Sequence, residues 1–193
     1  MYKLCKTESS AKRQQSIENA LLCLMKTKKY EEINVSEICD SINIPRKAFY
    51  RYFDSKDGAL HALIDHTMLN FQEFSMKYRM HESRSVERDL ECFFLFWIEK
   101  ASLITALERS NLDALLFQKA FGYPINELIN TKKFLPNDDE SVRPQIFNFA
   151  ICGLMTLMLE WYRGGFKETT LEMARLSCRL LSQPIFPDLD KLS

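Results

Sequence analysis

Little in this 193-residue chain interrupts a helix: it has five glycines and six prolines, which leaves little room for disorder. Net charge is missing too, since 26 Lys/Arg balance 26 Asp/Glu, an unusual balance for a nucleic-acid binder taken whole. No apolar run approaches the ~20 residues of a membrane span, and the N-terminal residues are polar, unlike a secretory leader. A cytoplasmic protein with no membrane partner is therefore expected. The six cysteines (Cys5, Cys23, Cys39, Cys92, Cys152 and Cys178) are scattered without a close pair. All but Cys5 sit in apolar helical patterns and are expected as small buried hydrophobes. A redox-sensing thiol is the alternative, with no one cysteine clearly singled out by electropositive flanks.

Catalytic and metal signals are equally sparse. Of the three histidines, His61 and His66 lie five apart, about 140° around a helix. That is not the i, i+4 pair zinc favours, and His81 is remote. No Gly-rich phosphate loop and no serine nucleophile elbow occur. Asp138-Asp139 falls in a polar stretch and is most simply solvated. Neither an enzyme nor a metal or other cofactor is expected.

What is present is a helical period almost throughout, with 46% apolar residues and 14 Phe to fill a core. The expected class is all-α, with no competing β signal. A first helix opens at Ser9 or Ser10 and runs to about Lys28, burying Ile17, Ala20, Leu21, Leu24 and Met25. Asn34 then offers an N-cap with Glu37 as its capping-box partner. Val35, Ile38 and Ile42 share one face of the short helix that follows. Asn43 tolerates the left-handed backbone that ends it, Ile44 plugs the space between helices, and Pro45 suits a first helical position.

The next helix has two faces. Ala48, Phe49 and Phe53 turn to the core, while Arg46, Lys47, Tyr50 and Arg51 point elsewhere. Two tyrosines and three cations in seven residues exceed what solubility requires. They suit a duplex, where cations neutralise phosphates or fork onto guanine edges and tyrosine hydroxyls reach phosphate oxygens. The charge is placed accordingly: residues 1–80 carry 13 Lys/Arg against 10 Asp/Glu, a balance of +3, and residues 81–193 carry 13 against 16, a balance of −3. Lys56, at the start of a further helix, adds a cation where free N–H groups favour an anion. Together these segments outline a helix-turn-helix DNA reader.

Ala48-Phe49-Tyr50-Arg51-Tyr52-Phe53 followed by Ser55-Lys56-Asp57-Gly58-Ala59-Leu60 resembles the N-terminal domain of the tetracycline-repressor (TetR) family of bacterial transcription factors. The likeness covers roughly residues 10–65. It implies that Arg46, Lys47 and Ala48 face bases and that Tyr50, Tyr52 and Lys56 grip phosphates; Asn34 and Arg51 complete the expected DNA-binding set. The chain departs from the family pattern at Asn43, where Gly is usual, and at Pro45, where Ser is common, so no hydroxyl–phosphate contact carries over there. The implied architecture is an N-terminal three-helix helix-turn-helix domain over 9–60, then a larger helical effector-binding and dimerisation domain over 61–183. A linking helix over 55–80 joins them.

Beyond the head, a helix over Val86–Lys100 contains Cys92-Phe93-Phe94-Leu95-Phe96-Trp97-Ile98, apolar around most of its circumference and so expected to be surrounded. Further helices are expected over Leu103–Arg109, Leu112–Gly122 and Ile125–Ile129, with a loop over Lys132–Ser141. The last two run over about 142–163, stopped by Gly164-Gly165, and from a Thr169 or Thr170 cap to about Ser182. Gly153 beside Ala150 weakens its helix by up to about 1 kcal/mol, for which close approach of another helix is the usual compensation.

In the family resembled, the last two helices pair with their copies. A homodimer through Ala150, Gly153, Leu157, Trp161, Leu176 and Leu180 is therefore expected, an internal core contact being the alternative. Phe71, Phe93, Phe96, Trp97, Phe117, Phe121 and Phe149 are the candidate lining of a pocket for a small apolar or aromatic effector; each alone reads first as core, and only their number points to a pocket. The function expected is a homodimeric repressor released from a palindromic double-stranded operator by that effector. An effector-independent activator or architectural protein is the alternative, and an all-helical enzyme or adaptor stands behind both.

Overall fold

The computed structural model describes residues 1–3, 5, 7–81, 85–121 and 143–182. Among them lie nine α-helices and no strand beyond one isolated bridge, so the chain is all-α as expected. In order they are α1 (Glu8–Met25), α2 (Val35–Ser41), α3 (Arg46–Phe49), α4 (Lys56–His81), α5 (Val86–Glu99), α6 (Ala101–Arg109), α7 (Ala114–Phe121) and two last helices, Arg143–Arg163 and Thr170–Ser182. A 3₁₀ turn, Tyr30–Glu32, sits between α1 and α2. The helix expected over Ile125–Ile129 and the loop expected over Lys132–Ser141 lie outside the described residues.

By packing, the chain divides into two compact units. Met1–Asn70 with Ala101–Lys119 form the first; Phe71–Lys100 belongs to the second, together with the last two helices. The division falls within α4, which continues unbroken through it for 26 residues, about 39 Å at 1.5 Å per residue.

In the first unit the apolar stripe of α1 (Ile17, Ala20, Leu21 and Met25) is buried as its spacing predicts. Ile33, Ile38, Phe49, Phe53 and Ile64 complete the core, each no more than 2% exposed. Thr7, rather than Ser9 or Ser10, caps α1: its Oγ1 accepts from Ser10 N–H at 3.3 Å while Ser10 Oγ accepts from Thr7 N–H at 3.3 Å. Serine at the third helical position can return that bond, whereas the usual sequence signal there is Glu or Gln. Cys23, expected to be buried, is exposed, because it falls opposite the Ile17–Leu21 stripe.

Two buried polar residues ride on the same helix. Glu18 is 2% exposed, and its carboxylate takes Nδ1 of His66 from α4 at 2.9 and 3.0 Å. Burial raises the pKa of Glu18, and the bond to Glu18 raises that of His66, with Asp65 adding to both. A raised folded-state pKa means that the folded state holds its proton where the unfolded chain has begun to lose it. The stabilisation is therefore complete at low pH and is lost as pH rises through the folded value of His66, above its ordinary 6.5. At that point a buried carboxylate is left beside a neutral ring. The melting temperature is expected to fall as pH rises above that value, and Glu18→Gln should flatten the dependence. A wild-type profile no steeper than the variant's would refute this.

Three helix ends share one geometry. After α2, Ile44 N–H bonds to Cys39 C=O at 3.0 Å and Asn43 N–H to Asp40 C=O at 3.2 Å, with Asn43 at φ 53°. After α6, Leu112 reaches Leu107 and Asn111 reaches Glu108, with Asn111 at φ 54°. After the Arg143–Arg163 helix, Phe166 reaches Trp161 and Gly165, at φ 78°, reaches Tyr162. This is the Schellman stop, and in the last case the Trp161 and Phe166 rings close it at 4.7 Å. The expectations for Asn43 and for Gly164-Gly165 are met. Pro45 differs by one place: it is the cap residue of α3, with Arg46 the first helical residue.

The second unit is built on α5, whose Leu90, Cys92, Phe94, Phe96 and Trp97 are buried. The Thr170–Ser182 helix packs along it, and the Arg143–Arg163 helix touches it as well. Ser85 caps α5 by accepting from Arg88 N–H at 3.2 Å, and Thr169 caps the last helix reciprocally with Glu172. Burial pushes the Cys92 thiol up to about 12, so it packs as a hydrophobe rather than as a nucleophile.

Candidate nucleic-acid interface

The short helix α3 owes its placement to its surroundings, since four residues cannot sustain a helix alone. Asn34 heads α2 in the expected capping box: its Oδ1 accepts from Glu37 N–H at 3.0 Å and Glu37 Oε2 accepts from Asn34 N–H at 2.9 Å. Lys28 pairs with the other Glu37 oxygen, which holds that carboxyl below its usual range. Asn34 therefore spends its side chain on the helix start. α2 then packs on α3, with Ile38 and Ile44 buried between them. Phe49 and Phe53, both fully buried with centroids 5.3 Å apart, anchor α3 from below.

That anchoring turns the other face outward. Arg46, Lys47, Tyr50 and Arg51 are exposed, Tyr50 at 42%, while Ala48 and Tyr52 are half-buried. Arg46 donates to the Tyr50 hydroxyl at 3.3 Å and lies 6.0 Å from its ring centroid. None of Arg46, Lys47 and Arg51 meets a carboxylate among the described residues. By contrast, Arg79, Arg88, Lys119, Arg163 and Arg175 each pair with one. The exposed cations of α3 are thus left available for an external anion.

Lys56 stands apart from this set. Its ammonium donates to the carbonyls of Tyr30 and Ile33, both at 2.6 Å, and lies 4.1 Å over the Tyr30 ring. In the free protein this lysine fastens the segment before α2 to the start of α4, rather than facing an open anion site. Nothing in the sequence flags Tyr30, which carries that junction. It is buried, its hydroxyl bonds to Asp57, and its N–H donates to Ser110 Oγ at 2.8 Å. Burial first, and Asp57 second, push its phenol pKa upward. Arg109 adds a bond from Nη1 to Thr27 C=O at 3.0 Å. The end of α6 therefore holds the α1–α2 connection, a contact between residues about 80 positions apart that no local pattern discloses.

The remaining expected sites divide. Phe71 meets Phe93 at 6.0 Å and Phe96 at 5.1 Å, and Trp97 meets Phe93 at 6.2 Å and Phe96 at 5.6 Å, so four of the candidate pocket rings form one cluster in the second unit. Phe96 and Trp97 are nearly sealed, at 2% and 1% exposed. Phe117 belongs to the first unit, the Phe121 side chain lies outside the described residues, and Phe149 is 69% exposed.

Of the expected dimer residues, Gly153 and Leu180 are exposed, and Ala150, Leu157 and Leu176 are half-buried. Trp161 is not available: it is 3% exposed, its Nε1 donates to Glu168 C=O at 2.9 Å, and its ring packs on Phe94 and Phe166. The close helix approach expected at Gly153 does not occur among the described residues, since a Cβ there would meet none of them within 4 Å. Among the described residues, no three His, Cys, Asp or Glu side chains are grouped to hold a metal. No described helix is long and apolar enough to cross a membrane.

Comparison with known proteins agrees with this geometry. Residues 19–63, the end of α1 through the first turns of α4, match the family model of bacterial regulatory proteins, tetR family. Over 75 residues the chain is 33% identical to the HTH-type transcriptional regulator EthR of Mycolicibacterium smegmatis, an alignment covering 37% of this chain and 35% of that protein. The fold extends further. The fatty acid degradation regulator FadR of Bacillus halodurans superposes with a TM-score of 0.67 at 18% identity, over 94% of this chain and 98% of that one. FadR of Bacillus subtilis, solved in complex with stearoyl-CoA, gives 0.67 at 16% identity over 89% and 99%. The dihydroxyacetone kinase operon activator DhaS gives 0.59 at 16% identity over 87% and 93%. Through the head formed by its α1–α4 segment, the chain is similar to the tetR family of bacterial regulatory proteins.

Proposed function

We propose that this protein is a homodimeric transcriptional repressor that reads a palindromic duplex with α3 and lets go when a small apolar effector binds. The observation that carries the reading is the exposed face of α3, where Arg46, Lys47 and Arg51 stand beside Tyr50 with no carboxylate partner among the described residues. Cations so placed displace counterions from DNA phosphates, and side chains of this kind reach base edges in the major groove. Arg46, Lys47 and Ala48 face bases; Tyr50, Arg51 and Tyr52 take the backbone. Lys56 and Asn34 act indirectly, by fixing the elements on either side of α3. The test is binding to the DNA upstream of the protein's own gene, by gel shift or fluorescence anisotropy; no affinity beyond that for unrelated duplex sinks the reading.

A second copy follows from geometry: two recognition helices one helical turn apart read a palindrome, and one weakly charged head does not suffice. The exposed Gly153, Phe149, Leu180 and Leu181 and the half-buried Ala150, Leu157 and Leu176 are the residues offered to it. Support for an apolar effector comes from the Phe71, Phe93, Phe96 and Trp97 rings, and from the stearoyl-CoA bound by the similar fold of the Bacillus subtilis regulator. An effector shifts the balance only by preferring the DNA-free conformation, and the unbroken α4 is the element through which that preference reaches the head. Titrating the protein–DNA complex with long-chain acyl-CoA thioesters and simple aromatic acids should release the DNA with at least one of them. If none changes the affinity, the effector half of the proposal is lost and the DNA half stands. The activator DhaS shares the fold, so a reporter assay in a deletion strain decides the sign: expression should rise without the protein.

A further inference from the structure

Residues 1–3 are built onto the recognition segment in a way that a helix-turn-helix does not require. Tyr2 faces Phe53 in an antiparallel bridge. On either side of that pair, Lys3 N–H donates to Tyr52 C=O at 2.9 Å and Asp54 N–H donates to Met1 C=O at 3.2 Å. These are the two bonds that flank a non-hydrogen-bonded pair in an antiparallel ladder.

The segment is held from two other directions. Gln14 of α1, 2% exposed, donates from Nε2 to Lys3 C=O at 3.1 Å and accepts from the Cys5 thiol at Oε1 at 2.9 Å. A buried amide with both ends satisfied fixes the backbone it touches. At Gly58 in α4, an added Cβ would stand 2.4 Å from the Met1 carbonyl oxygen. The approach therefore requires a residue without a side chain at that point of the helix.

The consequence is the position of Lys3. Its side chain is exposed and meets no carboxylate among the described residues, and it lies along the outer end of the recognition segment, Nζ 3.4 Å from the Tyr50 carbonyl oxygen. It thus extends the cationic face of α3 beyond Arg51. We propose that Lys3 is a DNA-backbone contact, presented by residues 1–3 as a short strand clipped to the recognition turn. Gln14 and Gly58 are its positioning residues. This rests on the DNA-binding reading above and adds to it a contact from outside the helix-turn-helix. A lysine reaching a phosphate is a point charge and carries no sequence information, so its contribution is the same on any duplex.

The experiment is a salt series on operator and unrelated duplex, with wild type, Lys3→Ala, Lys3→Arg and Gly58→Val, alongside thermal melts. Each phosphate neutralised contributes about 0.9 to the slope of log affinity against log salt. Lys3→Ala should therefore lower the slope by about 0.9 per protomer, weaken both duplexes equally, and leave the melting temperature unchanged. Lys3→Arg should keep the wild-type slope. Gly58→Val, which displaces the strand with Lys3 still present, should reproduce the loss; a merely structural strand would change the melt and spare the slope. An unchanged slope for Lys3→Ala, with wild type binding normally, overturns the inference alone. Wild-type protein that binds no duplex overturns it together with the function it rests on.

Discussion

Replacing Lys47 and Tyr50 together with alanine is expected to abolish specific DNA binding while leaving the far-ultraviolet circular dichroism and the melting temperature nearly unchanged. Each direct contact to a base edge or phosphate contributes about 1–3 kcal/mol. Two contacts in each of two half-sites amount to roughly a thousand-fold in affinity even at the lower end of that range. The folded state loses little, because both side chains are exposed and Lys47 has no carboxylate partner among the described residues. Tyr50 gives up an edge-on contact with the Phe49 ring at 5.4 Å and the weak, exposed bond from Arg46. Anisotropy titration and a melt on the same sample separate the two effects. Retained binding removes these residues from the interface; lost binding with a collapsed melt makes their role structural.

The parts of the head legible in the sequence are those set by local chemistry. Asn34 and Glu37 announce a helix start because both halves of the capping box lie three residues apart. Asn43 announces a helix stop because few residues adopt φ 53° without strain. Phe49 and Phe53 announce a buried face because i and i+4 meet on a helix, and they do. What escaped reading depends on residues far apart in the chain. Lys56 looks like a phosphate ligand from its neighbours, and only the approach of the Tyr30 and Ile33 carbonyls shows where its ammonium goes. The strand at residues 1–3 has no pattern of its own, and Gly58 reads as a weak point of α4 until the Met1 carbonyl is seen against it.

The same distinction explains the second unit. Periodicity places Trp161 and Gly153 on one helix and marks both as contact residues, yet it cannot say what they contact. Trp161 is engaged within the chain by Phe94, Phe166 and the Glu168 carbonyl, so the Schellman stop at Gly165 and the core of this unit share one side chain. Gly153 has no close neighbour among the described residues, and Phe149 one turn before it is 69% exposed, so neither is engaged as Trp161 is. The aromatic run of α5 likewise reads as core or as pocket from sequence. Packed ring on ring, it gives Phe96 and Trp97 the burial of core, with the half-buried Phe71 and Phe93 beside them.

The opposite face of α3 gives the converse of the first experiment. Phe49→Ala is expected to destabilise the protein by about 3–5 kcal/mol, the range for emptying a fully buried phenylalanine site. At roughly 2–4 °C per kcal/mol for a chain of this size, the melting transition should fall by about 6–20 °C. DNA binding should fail with it, although Phe49 touches no DNA. A helix of four residues has no stability of its own, so its direction is set by what it is pinned to: Phe49 on Phe53 beneath, Ile44 at its entrance, and the Lys3–Tyr52 bond at its exit. Remove the first and the exposed cations keep their charge while losing a common orientation, so binding should fall to the weak, strongly salt-dependent level of a non-specific polycation. Phe49→Leu, which preserves most of the volume, should recover both the melt and the specificity. A Phe49→Ala protein that melts at the wild-type temperature and still discriminates its operator would show that α3 is positioned by something other than its buried face.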